Sequence, residues 1–173
     1  MDETLSTRYI NILKQADIFY ELTQTQLELI ANLCEERTFS SGEIIFPEGS
    51  DSDELYVIYQ GEVEIQVNPS KHNSSDDEKS VSLTIAKLRR GQSFGEITLV
   101  DQGLRSATAR SSKNNTCLLI LPRAKLMLLC DAYPQLGYRL MRNLAADLAL
   151  KMRATDLRIQ EELLYGQQPK SRK

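Results

Sequence analysis

Between residues 36 and 121 the chain never keeps a helical rhythm. It breaks into short runs rich in β-branched and aromatic residues, "RTFSSGEIIF", "ELYVIYQGEVEIQV", "VSLTIAKL" and "NTCLLIL". Turn signals separate them, with "SSG" at 40–42, "EGS" at 48–50 and "QGE" at 60–62. Short strands at this spacing imply an antiparallel roll or barrel.

Helical spacing frames that stretch on both sides. Apolar positions recur at helical intervals over 3–15 (Leu5, Ile10, Ile12, Leu13) and 23–34 (Leu27, Ile30, Ala31, Cys34), and Thr23 with Gln26 spells a capping box. After "LLILP" a short apolar-sided helix is predicted over 123–131, and from Gln135 to Leu164 there is no proline and only one glycine. Met141, Ala145, Leu148, Met152, Thr155 and Ile159 keep a 4-3 spacing along this last helix, a seam for packing against another helix or its own copy. The expectation is an α+β fold, mainly β: N-terminal helices over 1–35, a roll over 36–121, C-terminal helices over 122–165 and a disordered tail over 166–173.

Several functions are disfavoured at once. Lys and Arg number 21 against 24 Asp and Glu, so no overall positive field attracts nucleic acid. Cys34, Cys117 and Cys130 are odd in number and set among apolar residues, which reads as buried thiols in a reducing compartment. The single histidine, His72, sits in the polar stretch "NPSKHNSSDDEKS" at 68–80, a solvated loop between strands, and has no metal-ligating neighbours. A metal-dependent enzyme on a β-roll needs a His/carboxylate set that this sequence does not spell. With no secretory leader and no apolar run of membrane-spanning length, a cytoplasmic protein is expected.

The segment "FGEITLVDQGLRSAT" at 94–108 carries the chemistry. Gly91 and Gly95 bracket a loop, and "GEITLV" opens a helical turn whose free N–H groups suit a small anion. Arg105 presents a planar fork to phosphate oxygens, while ionised Glu96 only accepts hydrogen bonds. A ribose phosphate satisfies both. From the residues alone, a plain Glu96–Arg105 salt bridge closing the loop explains the pattern equally well.

This segment resembles the phosphate-binding cassette of the cyclic-nucleotide-binding domain family, and the upstream "FSSGEIIFPEGSDSDELYVIYQGEVEI" is similar to the first half of that family's β-roll, with Gly42, Gly49 and Gly61 where its turns lie. The resemblance covers about residues 10 to 160. It implies a jelly-roll type β-roll in which Glu96 takes the ribose 2′-hydroxyl and Arg105 the cyclic-phosphate oxygens. Gly95, Ile97, Thr98 and Ser106 would complete the phosphate nest, with Ala107 permitting close approach. Thr98 replaces the family's usual small residue, which implies a different nest geometry. "ATDLRI" at 154–159 resembles the part of the long helix that caps the base, where Thr155 matches and Asp156 departs from the usual Ser. Ser106 favours cAMP over cGMP as the ligand, by its match to the bacterial cAMP-binding members.

Beyond Leu164 only nine residues follow, too few for the helix-turn-helix of the family's transcription factors, so no DNA-binding domain is expected. The implied protein is a stand-alone receptor without catalytic activity, paired as a homodimer through the long helix and signalling to an unidentified protein partner. A scaffold that keeps the roll but binds another ligand, or none, is the alternative.

Overall fold

A computed structural model describes residues 3–69 and 82–165. His72 and most of the expected loop over 68–80 lie outside the described residues, as does the 166–173 tail. Helix α1 (Glu3–Leu13), a 3-10 turn (Asp17–Phe19) and α2 (Gln24–Ala31) come first. Strands β1 (Glu35–Phe39), β2 (Ile44–Phe46), β3 (Leu55–Gln60), β4 (Glu62–Val67), β5 (Leu83–Arg89) and β6 (Ser93–Phe94) follow. A short helix α3 (Thr98–Asp101) precedes β7 (Thr108–Ser111) and β8 (Thr116–Leu121), and α4 (Arg123–Ala132) and α5 (Pro134–Tyr165) close the described chain.

The eight strands pair antiparallel in two four-stranded sheets, in the orders β1-β8-β3-β6 and β2-β7-β4-β5. This is the jelly-roll fold that the family resemblance implies, and it agrees with the antiparallel roll expected from the strand spacing. Strand β3 shows why the first sheet sits in the middle. Its alternate residues Leu55 and Val57 pack under the helices, while Tyr56 and Ile58 point between the sheets with Phe39, Phe46, Phe94 and Leu118. A strand buried on both faces reads as a continuous apolar run, as "LYVIY" and "CLLIL" do. The second sheet shows one face to solvent, and β5 alternates between exposed and half-buried residues accordingly.

The helices lie together on the outer face of the first sheet, where Ile12, Leu13, Leu27, Ile30, Leu126, Leu136 and Leu140 form one core. Both halves of the expected capping box are present at Thr23 and Gln26. Cys34 and Cys117 are buried and Cys130 half-buried, and burial pushes the Cys34 thiol up to about 12.

Helix α5 joins two unlike halves. The first is anchored: Leu136, Leu140 and Leu144 are buried, Asn143 donates to the carbonyls of Ile18 (3.2 Å) and Tyr20 (2.7 Å), and Arg142 pairs with Glu21 at 2.8 Å. From Ala149 onward the described side chains are exposed, Leu157 by 61% and Met152 by 67%. This divides the seam expected from the 4-3 spacing. Met141 and Leu148 pack on the chain's own core, because the anchored half needs its apolar stripe for that purpose. Exposed Leu150, Leu157 and Leu164 instead repeat at seven-residue intervals on the projecting half. No helix among the described residues is long and apolar enough to cross a membrane.

Candidate functional site

The segment after β6 runs from the edge of one sheet to β7 inside the other, and its first turn strains any residue but glycine. Gly95 has φ +79°, and a Cβ there would lie 2.7 Å from Arg105 Nη1 and 2.9 Å from the Glu54 carbonyl oxygen. The chain then enters α3, where the N–H groups of Leu99 and Val100 donate to the carbonyls of Glu96 (3.1 Å) and Ile97 (3.0 Å). Arg105 returns beside this turn. Its backbone is fixed by hydrogen bonds from its N–H to the Ser50 carbonyl and from the Gly49 N–H to its own carbonyl, both 2.8 Å.

The Arg105 side chain is 3% exposed and every one of its guanidinium donors has an acceptor. Nε donates to Ser52 Oγ (2.8 Å), Nη1 to the Gly95 carbonyl and to Thr98 Oγ1 (both 3.1 Å), and Nη2 to the Glu54 carbonyl (2.8 Å) and Glu54 Oε2 (3.4 Å). The guanidinium carbon lies 4.1 Å from the centroid of the Phe46 ring. Burial lowers the Arg105 pKa, and Tyr56 and Glu54 counter it. Arginine stays charged in this setting. Tyr56, stacked on Phe94 at 5.0 Å, has its phenol pushed up to about 12 by burial and by Glu54 and is neutral.

Glu96 is 6% exposed, and its partner comes from the far end of the chain. Lys151 Nζ on α5 donates to Glu96 Oε1 at 2.6 Å and to Asp147 Oδ2 at 2.8 Å. The direct Glu96–Arg105 pair that the sequence allowed does not form, because each residue meets a nearer partner of opposite charge.

A cavity of about 490 Å³, within the range of small-molecule sites, opens between these groups. Gly95, Glu96, Ile97, Thr98, Arg105, Ser106 and Ala107 line it from the cassette, and Phe46, Ile65, Ile85, Ala86, Leu88 and Phe94 from the roll. Helix α5 adds Lys151, Ala154, Thr155 and Arg158, one helical face at 3-and-4 spacing. Asp156 is not among the lining residues. One residue along a helix is about 100° of rotation, so the face that presents Thr155 turns Asp156 aside. The Thr155 hydroxyl donates to the Lys151 carbonyl at 2.9 Å, which leaves its lone pairs for a donor.

Lys151 and Arg158 are not evident from the sequence. Their only local signals are the 147/151 charge pair and the 151/155/158 spacing, and both patterns are common on solvated helices. The Thr98 hydroxyl gives physical content to that residue's departure from the family pattern: it accepts from Arg105 and donates to the Gly95 carbonyl at 3.2 Å, fastening the loop to the arginine. Among the described residues, no group of three or more His, Cys, Asp or Glu is placed to hold a metal ion.

The arrangement offers a cation for an anion, a carboxylate for a hydroxyl and apolar walls for a ring. Residues 36–133 match the cyclic nucleotide-binding domain. The chain is 29% identical over 160 residues to the cyclic AMP receptor protein of Thermus thermophilus, covering 92% of this chain and 67% of that one. It is 28% identical over 147 residues to the cAMP-dependent protein kinase regulatory subunit of Dictyostelium discoideum, covering 83% of this chain but 42% of that one. The crystal structure of Thermus thermophilus catabolite activator protein superposes with a TM-score of 0.69 at 29% identity, over 83% of this chain and 62% of that one.

Proposed function

The chain belongs to the cyclic nucleotide-binding domain family, and from that premise we propose that it is a receptor whose cavity takes cAMP, and cGMP second. The observation that carries this reading is the convergence of Arg105 and Glu96, with the cassette glycine turn, on one cavity with apolar walls. The cyclic phosphate exchanges with the neutral contacts of Arg105 on the cavity side, the Gly95 carbonyl and the Thr98 hydroxyl, since an ionised acceptor makes the stronger hydrogen bond. Glu96 accepts the ribose 2′-hydroxyl, and the base lies along Ile85, Ala86 and Leu88 toward Thr155 and Arg158. The ligand is cAMP first in this reading because two relatives named for it align with 92% and 83% of the chain, whereas two named for cGMP align with 56% and 67%.

No chemistry on the ligand is part of this proposal: the output is conformational. Ligand contacts on α5 bias the arrangement of its projecting half, by no more than the ligand's differential affinity for the two arrangements. That half pairs with its twofold mate through the Leu150, Leu157 and Leu164 stripe, and the paired helices pass the state of the cavity to a protein partner.

Isothermal titration with cAMP and cGMP, joined to hydrogen exchange, tests the reading. Saturable binding at one site per chain with altered exchange over 149–165 is expected. Binding that protects only 91–108 would remove α5 from the mechanism, and no binding of either nucleotide would leave a scaffold. Light scattering on Leu157→Glu should show a smaller species than the wild type.

A further inference from the structure

A second cavity, of about 310 Å³, shares no lining residue with the first, yet a hydrogen bond joins the two. Arg105, on the wall of the first, donates from Nε to Ser52 Oγ, on the wall of the second, at 2.8 Å. The half-buried Ser52 hydroxyl accepts that bond and donates to no group among the described residues, so its proton and a lone pair are unengaged. Asp51, Ser52 and Asp53 belong to no helix or strand and make no backbone–backbone hydrogen bond among the described residues. Arg123 lines the same cavity. It spends Nε on the Leu99 carbonyl at 3.2 Å, and its Nη atoms meet no acceptor among the described residues. An anion formed on the Ser52 hydroxyl would meet one guanidinium already in contact and a second with donors to spare.

We propose that Ser52 is a phosphorylation site, and that its phosphate, held by Arg105 Nε with Arg123 on the same cavity, weakens binding of the cyclic nucleotide. The effect on the ligand rests on the reading of the first cavity as a cyclic-nucleotide site. The modifying enzyme is a protein kinase with a basic substrate cleft, because carboxylates stand immediately before Ser52, at Asp51, and at the two positions after it, Asp53 and Glu54. In the transfer, Ser52 Oγ bonds the γ-phosphorus of a nucleoside triphosphate and the bond from that phosphorus to the β,γ-bridging oxygen breaks. The nucleoside diphosphate leaves, and the hydroxyl proton passes to a carboxylate base of the kinase. Phosphoserine brings about 1.5 to 2 negative charges to a guanidinium that the cyclic phosphate also needs. Because Arg105 is buried, solvent screens little of the repulsion between the two anions. Asp51 and Asp53 are exposed, so their own repulsion of the new phosphate is screened.

The test uses the full chain. After incubation with ATP and an acid-directed serine kinase, peptide mapping by mass spectrometry should place a phosphoryl group on Ser52; Ser52→Ala should abolish it and Ser50→Ala should not. Transfer to Ser50 instead, or to neither, overturns the site. Phosphoserine installed at position 52 during synthesis then supplies the modified chain for titration with cAMP. Phosphoserine at position 50 is the control, with the same charge on a hydroxyl that instead faces the Pro47 carbonyl at 2.8 Å. Position 52 should weaken cAMP by about tenfold or more, and position 50 by less than about threefold. Equal effects, no effect at 52, tighter binding or an unfolded chain overturns the proposal. The Arg105 Nε–H resonance reads the contact without any nucleotide: it should move with phosphoserine at 52 and stay with phosphoserine at 50, and an unmoved resonance at 52 refutes the contact. An unmodified chain that binds neither cAMP nor cGMP fails the receptor reading itself, and the resonance and the peptide map still decide on Ser52.

Discussion

Arg105 and Glu96 stand nine positions apart on one segment and face one cavity, yet the fold holds them by different means. The arginine is held by the roll: Ser52, Glu54, Gly95 and Thr98 take its donors, and Phe46 lies against its face. The glutamate is completed by Lys151, from a helix whose second half has exposed side chains. One end of the cavity is built with the roll, and the other depends on where α5 lies. A ligand that touches both ends therefore measures the helix against a fixed reference. On the proposed reading, the phosphate end supplies affinity and the ribose end supplies the signal.

The largest expected effect breaks the fixed end. Arg105→Ala removes the only cassette cation on the cavity and should cost about 2–5 kcal/mol of cAMP binding, the range for truncating one partner of a buried charge pair. Affinity within threefold of the wild type by titration calorimetry would place the anion elsewhere. Gly95→Ala should come next, because its backbone is left-handed and the new methyl meets Arg105 Nη1. A left-handed L-residue costs about 1–2 kcal/mol before the contact is counted, and thermal unfolding should report it as a fall in Tm along with weaker binding.

Thr98→Val sharpens the comparison. It preserves shape but removes the acceptor of one Nη1 donor, so stability should fall by about 1–3 kcal/mol in urea unfolding, the cost of an unpaired buried group. Binding should hold or improve, since the freed donor faces the space where the phosphate enters. If Thr98→Val loses cAMP as severely as Arg105→Ala, the roll does not hold the arginine independently of that hydroxyl.

The same division explains how much was readable from the sequence. The cassette is contiguous, so its glycine, glutamate and arginine keep a fixed spacing that a reader of residues 94–108 can follow. Strands β3, β4, β5 and β8 announce themselves by composition, and α2 by its Thr23–Gln26 box. Strand β6 is two residues long, and β7 reads "TARS", with little strand character. Each exists because a neighbour offers a ladder: β3 for the first, β4 and β2 for the second. Lys151 escaped for a related reason, since 55 residues separate it from Glu96 and only the packing of α5 closes that distance. Leu148 fits a dimer seam by periodicity, but periodicity does not say which surface a stripe covers, and here the chain's own core covers it.

The smallest effect concerns that distant contact alone. Burial works against the Lys151 charge, but Glu96 and Asp147 outweigh it and hold the ammonium above its ordinary 10.5. A lysine whose pKa is raised by folding stabilises the fold fully below its unfolded pKa and loses that contribution as pH rises through the folded one. The stability gap between wild type and Lys151→Met should therefore be constant from neutral pH to about 10 and narrow beyond it. The ammonium is half exposed, so the gap should be at most about 1 kcal/mol. Urea unfolding of both proteins at matched pH reads the difference and cancels the titration of groups they share. A gap that widens with alkalinity would mean that the lysine is strained in the folded chain instead of held by it, and the ribose end would then be as fixed as the phosphate end.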